Sequence, residues 1–266
     1  MQLFQGFLLA VIIAFAAYRA HSLDRNGALA AAFTGTVIFG IGGWPWAVLL
    51  MAFFITSSVL SRLFKRQKAG LNEKYSKGHE RDAGQVFGNG AIATLFAALH
   101  GLYPEAAWPW IGFAAALAAV NADTWATELG VLNPAAPRLI TNLGKRVEKG
   151  TSGGVSPWGT GAAFLGSALI ATLAVAFSPY KGAALSDWLL ITIAGVAGSL
   201  FDSLLGATVQ AIYYCPSCQK ETERHPLHTC GTETNQIRGW EWLDNDWVNF
   251  ACGLMGAVLA MLALLV

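Results

Sequence analysis

Charge is what this chain has least of. Only 12% of its 266 residues are Asp, Glu, Lys or Arg, where soluble domains carry roughly 25%. That shortfall excludes an ordinary soluble domain and points to a polytopic membrane protein. Cysteine is scarce as well. Of the four residues, Cys215, Cys218 and Cys230 cluster and Cys252 stands apart, which excludes the disulfide framework of a small secreted domain. The first apolar run has no cationic stretch before it and no A-x-A site after it, so a retained helix is expected rather than a signal peptide. Transit-peptide composition is lacking too, and a bacterial protein is the simpler expectation. No internal repeat or low-complexity linker breaks the chain, and 1–266 is expected to form a single integral membrane domain. His21, His79 and His100 are isolated and suggest no catalytic role.

What the chain has in plenty is apolar: 55% hydrophobic residues, with 10 Trp and 29 Gly. Trp anchors membrane interfaces and Gly permits close helix contact. Crossing a bilayer takes roughly 17–25 apolar residues. Candidate runs lie at about Leu3–Tyr18, Gly27–Gly43, Pro45–Ser61, Gln85–Leu102, Trp108–Thr127, Pro157–Phe177, Trp188–Ala207 and Trp247–Val266. The expected fold is all-α, a polytopic transmembrane helix bundle of about eight spans with small cytosolic loops. Under that count alternate loops share a side, and 16 of the 17 Lys and Arg fall in one set; the other has only Lys181. The positive-inside rule then puts the large loops in the cytoplasm and both termini outside, in a bacterial inner or thylakoid membrane.

Charged groups at membrane depth cost roughly 2.5–3.5 kcal/mol each on insertion scales, so the few present are informative. In "VNADTWATELG", Asn121, Asp123, Thr124, Thr127 and Glu128 fall within eight residues. At roughly 100° per residue they fill one half of a helix, while Ala122, Trp125, Ala126 and Leu129 fill the other. A solvated helix end would also be two-faced, but it would favour Lys and Arg; these residue types are metal and phosphate ligands. In "GSLFDSLLGATVQ", Gly198, Asp202, Gly206 and Gln210 recur at steps of four, flanked by Ser199 and Ser203. A small-residue packing seam explains the glycines but has no need of Asp202. Asp246, Asn249, Gly253 and Gly256 share a face of the last span, where Asp244 and Asp246 also suit a helix N-terminus. Gln85 and Asn89 are one turn apart in the fourth span and can face the same cavity.

The loop "RLITNLGKRVEKGTSGGVSPWGTG" sets Lys145, Arg146 and Lys149 before Thr151, Ser152, Gly153 and Gly154. Ser156-Pro157 has the form of an N-cap and first helical position. Glycines let backbone N–H groups approach an anion, and the following helix N-terminus adds its dipole. The spacing is not that of a P-loop. The other large basic loop, "RLFKRQKAGLNEKYSKGHERDAGQ", either attracts anionic headgroups or nucleotide or serves orientation alone. In the expected cytosolic loop 213–242, Cys215-x2-Cys218-x9-His228-x-Cys230 can wrap a structural Zn²⁺, with His225 as an alternative ligand. Three unligated thiols are the plainer reading.

"NADTWATELG", "GTSGGVSPWGT", "DSLLGATVQ" and "CPSC…HTCG…RGWEWLDNDWVN" resemble, in that order, one integral-membrane family of formerly unknown function that includes the plant phytyl-phosphate kinase. The resemblance runs from about Gly27 to Val266. That family is distantly similar to phytol kinases, dolichol kinases and CDP-diacylglycerol synthases, which carry an Asp-centred helix motif, then a glycine- and serine-containing loop, and use CTP. Asp123-Thr124 with Glu128 matches the first motif and Thr151–Gly154 the second; Asp202-Ser203 resembles the "DS" of the cytidylyltransferases.

The resemblance implies phosphoryl transfer from CTP or another nucleotide to an isoprenyl monophosphate, such as phytyl or geranylgeranyl phosphate. The diphosphate would serve tocopherol, quinone or chlorophyll synthesis. It assigns Mg²⁺ to Asp123 and Asp202, with Glu128 or Asp246 beside them, and phosphate neutralisation to Lys145, Arg146 and Lys149. Asn89, Asn121, Thr124, Ser203, Asp246 and Asn249 would complete the binding set around the Thr151–Gly154 backbone. Membrane lipid and nucleotide are the partners implied, nucleic acid is not, and an oligomer is left open. Two rivals stand beside it: a transporter or flippase for a lipid phosphate or anion, and a non-catalytic membrane scaffold.

Overall fold

The computed structural model describes residues 1–64, 73–78, 80–182 and 184–265. Its helices are α1 (Gln2–Arg19), α2 (Arg25–Val37) running into a π-helical turn (Ile38–Gly42), α3 (Trp44–Leu63), α4 (Ala83–Leu102), α5 (Trp108–Gly130), α6 (Pro157–Ala176), α7 (Leu185–Thr208) and α8 (Asn245–Ala263). Short strands occupy the loops: β1 (Arg138–Leu139), β2 (Asn142–Arg146) and β3 (Gly154–Val155), then β4 (Ile212–Cys215), β5 (Lys220–Thr222) and β6 (Asn235–Arg238). They form two antiparallel three-stranded sheets, ordered β2-β1-β3 and β5-β4-β6.

The architecture is an all-α membrane helix bundle, but the expectation of about eight spans is corrected. Among the described residues, five helices are long and apolar enough to cross a membrane: α1, α3, α6, α7 and α8. The shortfall has two causes. With 13 residues α2 is too short, because at about 1.5 Å per residue it falls well below a hydrocarbon core of roughly 30 Å. The other two have length, 20 residues in α4 and 23 in α5, but not composition. Gln85, Asn89, His100 and several glycines dilute α4, and Asn121, Asp123 and Glu128 dilute α5. Packing explains why α5 tolerates them. It lies against α3, α4, α6, α7 and α8, and it is buried without a break from Pro109 to Ala122. A helix screened by other helices answers to their surfaces rather than to lipid.

With five candidate crossings, the alternation of loops that eight required is no longer a ground for orientation. The basic loops nevertheless meet at one end of the molecule. Arg81 N–H donates to Ser22 O at 3.0 Å, and Glu223 N–H to Lys74 O at 2.8 Å. Lys74 pairs with Glu148 at 2.6 Å and Lys220 with Glu73 at 2.9 Å. Lys65, Arg66, Lys68 and His79, and the Val266 end of the last expected span, lie outside the described residues. The opposite end is aromatic: Trp46 stacks on His100 at 4.9 Å and tilts against Phe113 at 4.6 Å, while Tyr180 donates to Pro104 O at 3.1 Å.

Caps at the loop end fix where helices start. The Asp24 side chain accepts from Gly27 N–H, Ser156 from Gly159 N–H with Pro157 in the first turn, and Asp244 from the N–H groups of Asp246 and Trp247. Asp82 and Gln85 form a reciprocal capping box on α4. Below them, α7 and α8 approach α5 closely. A Cβ at Gly198 would stand 2.6 Å from Ala119 Cβ and 2.8 Å from Cys252 O, so only glycine admits this contact.

Candidate active site

A cavity of about 440 Å³ opens at the loop end, between α4, α5, α7 and the loops above them. Asp123, Thr124, Thr127 and Glu128 of α5 and Ser199, Asp202, Ser203, Gly206 and Gln210 of α7 line it. The Asp123 and Asp202 carboxylates are close enough to repel each other, and Glu223 adds a third negative charge near Asp202. Ser199 hydroxyl donates to Asp123 at 3.4 Å. Asp202 Oδ2 is buried with no hydrogen-bond partner. Among the described residues, no Lys, Arg or His forms an ion pair with either carboxylate.

One turn on, Glu128 is buried and accepts from the Ser61 hydroxyl at 2.7 Å, with the Arg81 charge acting on it from the α4 side. Asn89 and Asn249 also line the cavity; Asn89 Nδ2 donates to Gln85 O at 2.8 Å. Thr124 and Ser203 line it too, Thr124 with its hydroxyl bonded back to Val120 O at 2.8 Å.

The glycine-rich loop forms the rim, with Thr151, Ser152, Gly153 and Gly154 on the cavity wall. Gly153 has φ +82°, and a Cβ there would meet Ala207 Cβ at 2.5 Å. The loop therefore docks on the end of α7 by backbone, which no other residue permits. Glu223 holds that junction. It accepts from the Ser152 hydroxyl and from Gln210 Nε2, each at 3.0 Å, and from Ser76 N–H at 3.5 Å. Burial raises its carboxyl above the ordinary glutamate range, against these three hydrogen bonds.

Not every candidate comes here. Asn121 is fully buried away from the cavity, donating to Gly166 O at 2.7 Å and accepting from the Thr56 hydroxyl at 3.3 Å. It joins α5 to α6 and α3. Lys145 and Arg146 lie on β2, exposed and off the wall. Lys149 is on the wall, but its ammonium donates to Val131 O at 2.9 Å and so closes the C-terminal end of α5. Asp246 is paired with Lys77 beside the wall rather than in it.

Among the described residues, the cations on the wall besides Lys149 are Lys77, Arg81 and Arg224, with Tyr75 among them, and none stands out in the sequence. Lys77 joins Asp82 at 2.8 Å to Asp246. Burial alone would lower its pKa, but the two carboxylates outweigh burial and hold the ammonium above the ordinary lysine range.

Behind this wall stands the cysteine cluster. The ligand atoms of Cys215, Cys218, His228 and Cys230 all lie within 4.8 Å of one another, with Cys215 Sγ 3.6 Å from Cys230 Sγ and His228 Nδ1 3.3 Å from it. Hydrogen bonds with Thr232 and His228 pull the Cys230 thiol down to about 5, toward the thiolate a metal takes. This donor set fits a structural Zn²⁺. His225 is not part of it and stacks on Tyr213 at 4.5 Å. Strand β5 leaves the cluster and leads directly into Glu223 and Arg224.

A polytopic helix bundle with carboxylates sunk beneath a glycine-rich rim defines an integral membrane protein with an embedded polar site. The chain belongs to the family described as integral membrane protein DUF92, whose model matches residues 8–257. It is 33% identical to Protein PGR of Arabidopsis thaliana over 277 residues, covering 96% of this chain and 94% of the plant protein. It is 34% identical to a membrane protein of Methanocaldococcus jannaschii over 213 residues (78% and 83% covered) and 28% identical to one of Synechocystis sp. over 236 (85% and 77%). No solved structure matches it.

Proposed function

We propose that the protein is a phosphotransferase that moves a phosphoryl group from a nucleotide, CTP in the first instance, to an isoprenyl monophosphate. The observation that carries the reading is the Asp123–Asp202 pair. Two carboxylates share a cavity, no cation among the described residues pairs with either, and Asp202 Oδ2 is buried without a hydrogen-bond partner. Such a pair is stabilised by a cation from outside. All-oxygen donors suit Mg²⁺, which takes one or two carboxylates and completes its shell with water and phosphate. Asp123 and Asp202 would hold it, and when bound it supplies neutralisation of phosphate charge.

The chain's own residues do the rest. Phosphoryl transfer depends on positioning and electrostatics more than on covalent chemistry. The backbone from Thr151 to Gly154 cradles phosphate at the rim. Lys77, Arg81 and Arg224 face the anions from the other side, and Ser199 orients Asp123. The acceptor is a monophosphate with a second pKa of about 6, already an anion near neutral pH. A phosphate oxygen attacks the γ-phosphorus directly and the nucleoside diphosphate leaves, so no general base is needed, and among the described residues the wall has no histidine. Among the described residues, the loops gathered at this end carry the basic residues other than Lys181, which supports a cytoplasmic position for the site. A transporter would present functional polar groups toward both ends, whereas the far end carries the Trp46–His100–Phe113 cluster.

The test is direct. Purified protein receives labelled CTP, Mg²⁺ and geranylgeranyl or phytyl phosphate, and the expected product is the isoprenyl diphosphate. Absence of diphosphate with every nucleotide and every isoprenyl phosphate tried overturns the reading.

A further inference from the structure

A second cavity adjoins the first. It holds about 80 Å³ and lies between α1, α2, the π-helical turn, α3 and the start of α4. Its wall is apolar, with Ala14, Ile38, Phe39, Met51 and Phe54 among its residues. Phe53, Arg81, Gln85 and Asn89 line both cavities. The Arg81 guanidinium stands 5.8 Å and 5.9 Å from the ring centres of Phe53 and Phe54, within reach of their π faces. One cation thus stands at the junction, with the charge of Glu128 toward the polar side and aromatic rings toward the apolar side.

Gly90 shows that the apolar space is real. It is buried in the middle of α4, it lines the second cavity, and a Cβ built on it meets nothing within 4 Å. A mid-helix glycine costs about 1 kcal/mol relative to alanine, and it is normally offset by close contact with a neighbour, as at Gly88, where a Cβ would stand 2.7 Å from Asp246 O. At Gly90 there is no neighbour to accommodate. Close-packed interiors leave few apolar voids, because the atoms lining them lose dispersion contacts. The π-helical turn on this wall is a second irregularity, of a kind that recurs at functional sites.

We infer that this apolar cavity receives the beginning of a lipid tail whose anionic head lies in the polar cavity, with Arg81 at the junction of head and tail. The inference rests on the phosphotransferase reading and names where the acceptor's chain leaves the reacting centre. An amphipathic acceptor needs a polar and an apolar compartment that meet at one place and a cation where they meet. Phe53, Arg81, Gln85 and Asn89 supply that meeting place. The cavity is not fully enclosed, so a long chain continues outward from it.

Binding tests this without turnover. The full chain in detergent is titrated with a C20 isoprenyl monophosphate and, separately, with Mg²⁺ and CTP. Gly90→Ile fills the void from α4 and Ala14→Ile fills it from α1. Gly161→Ile is the control, at an exposed glycine of α6 that also has nothing within 4 Å. Both filling variants are expected to bind the C20 monophosphate at least tenfold more weakly and CTP normally, and the control to match the wild type. Normal C20 binding by whichever filling variant retains the wild-type melting curve overturns the tail site and leaves the phosphotransferase reading standing. Equal loss of both ligands in both variants overturns it as well. If the wild-type chain binds no isoprenyl monophosphate, the reading beneath it fails first.

Discussion

Asp82 and Asp246 share the ammonium of Lys77, whereas Asp123 and Asp202 share only their repulsion. Both groups belong to the loop end of the molecule, and one cation separates their roles. The first is neutralised within the chain: Lys77 ties the start of α4 to the start of α8, and both carboxylates have work in the folded state itself. The second is held in place by the packing of α5 and α7, with no cation among the described residues paired to either carboxylate. On the proposed reading the strained pair is the site, and the satisfied pair is a joint.

The largest expected effect falls on the unpaired group. Asp123→Asn and Asp202→Asn should each lower diphosphate formation by about 10²–10³-fold, the scale seen when one preorganised electrostatic partner is lost. Their melting temperatures should match or exceed the wild type, because a repulsion has been relieved. Turnover assays and detergent melting curves on the same preparations decide; normal turnover would sink the assignment, and a clear loss of stability would erase the contrast with Asp246. Next comes the cysteine cluster, a set of candidate metal donors. Elemental analysis is expected to find one zinc per chain, and Cys215→Ser to lose it. Turnover should then fall on the order of tenfold, the effect typical of a site's outer supports, since Glu223 and Arg224 follow the hairpin directly. Zinc retained by Cys215→Ser would contradict this.

The joint is tested by a double-mutant cycle on Lys77→Met and Asp246→Asn. A coupling of about 1 kcal/mol is expected, modest because Lys77 keeps 29% of its side-chain surface exposed. Zero coupling would make the joint ornamental. The smallest effect concerns Glu223, whose pKa is raised in the folded chain. Between its unfolded and folded pKa values the folded state holds the extra proton, so wild-type stability falls as pH rises through that interval. Glu223→Gln should therefore track the wild type below the unfolded value and gain on it above. Melting curves from pH 4 upward read this out, and parallel curves would refute it.

The parts legible in the sequence are those fixed by short spacing. The stripes on α5 and α7, the Ser156-Pro157 start of α6 and the Cys215–Cys230 spacing are local patterns, and the structure arranges them where local geometry requires. Span counting failed for a different reason. Hydropathy measures what a helix shows to lipid, and α5 shows it little; α2 is simply short. Charge alone does not say which way a strand turns. β2 carries Lys145 and Arg146 outward, while Lys77, Arg81 and Arg224 are brought in by contacts between segments distant in sequence. Nothing local distinguishes Glu223, which meets the glycine-rich loop only because the sheet of β4, β5 and β6 folds back onto α7.

The enclosure of α5 also bears on how the molecule is assembled. A segment carrying Asn121, Asp123 and Glu128 has little to gain from hydrocarbon on its own. Its residence depends on α3, α6, α7 and α8 closing round it, and α6 to α8 emerge from synthesis after it. The nascent chain must therefore hold its future candidate site in a provisional place until the last helix arrives. Truncation before α8 would then leave a stranded polar segment, the kind of exposed sequence on which membrane quality control acts.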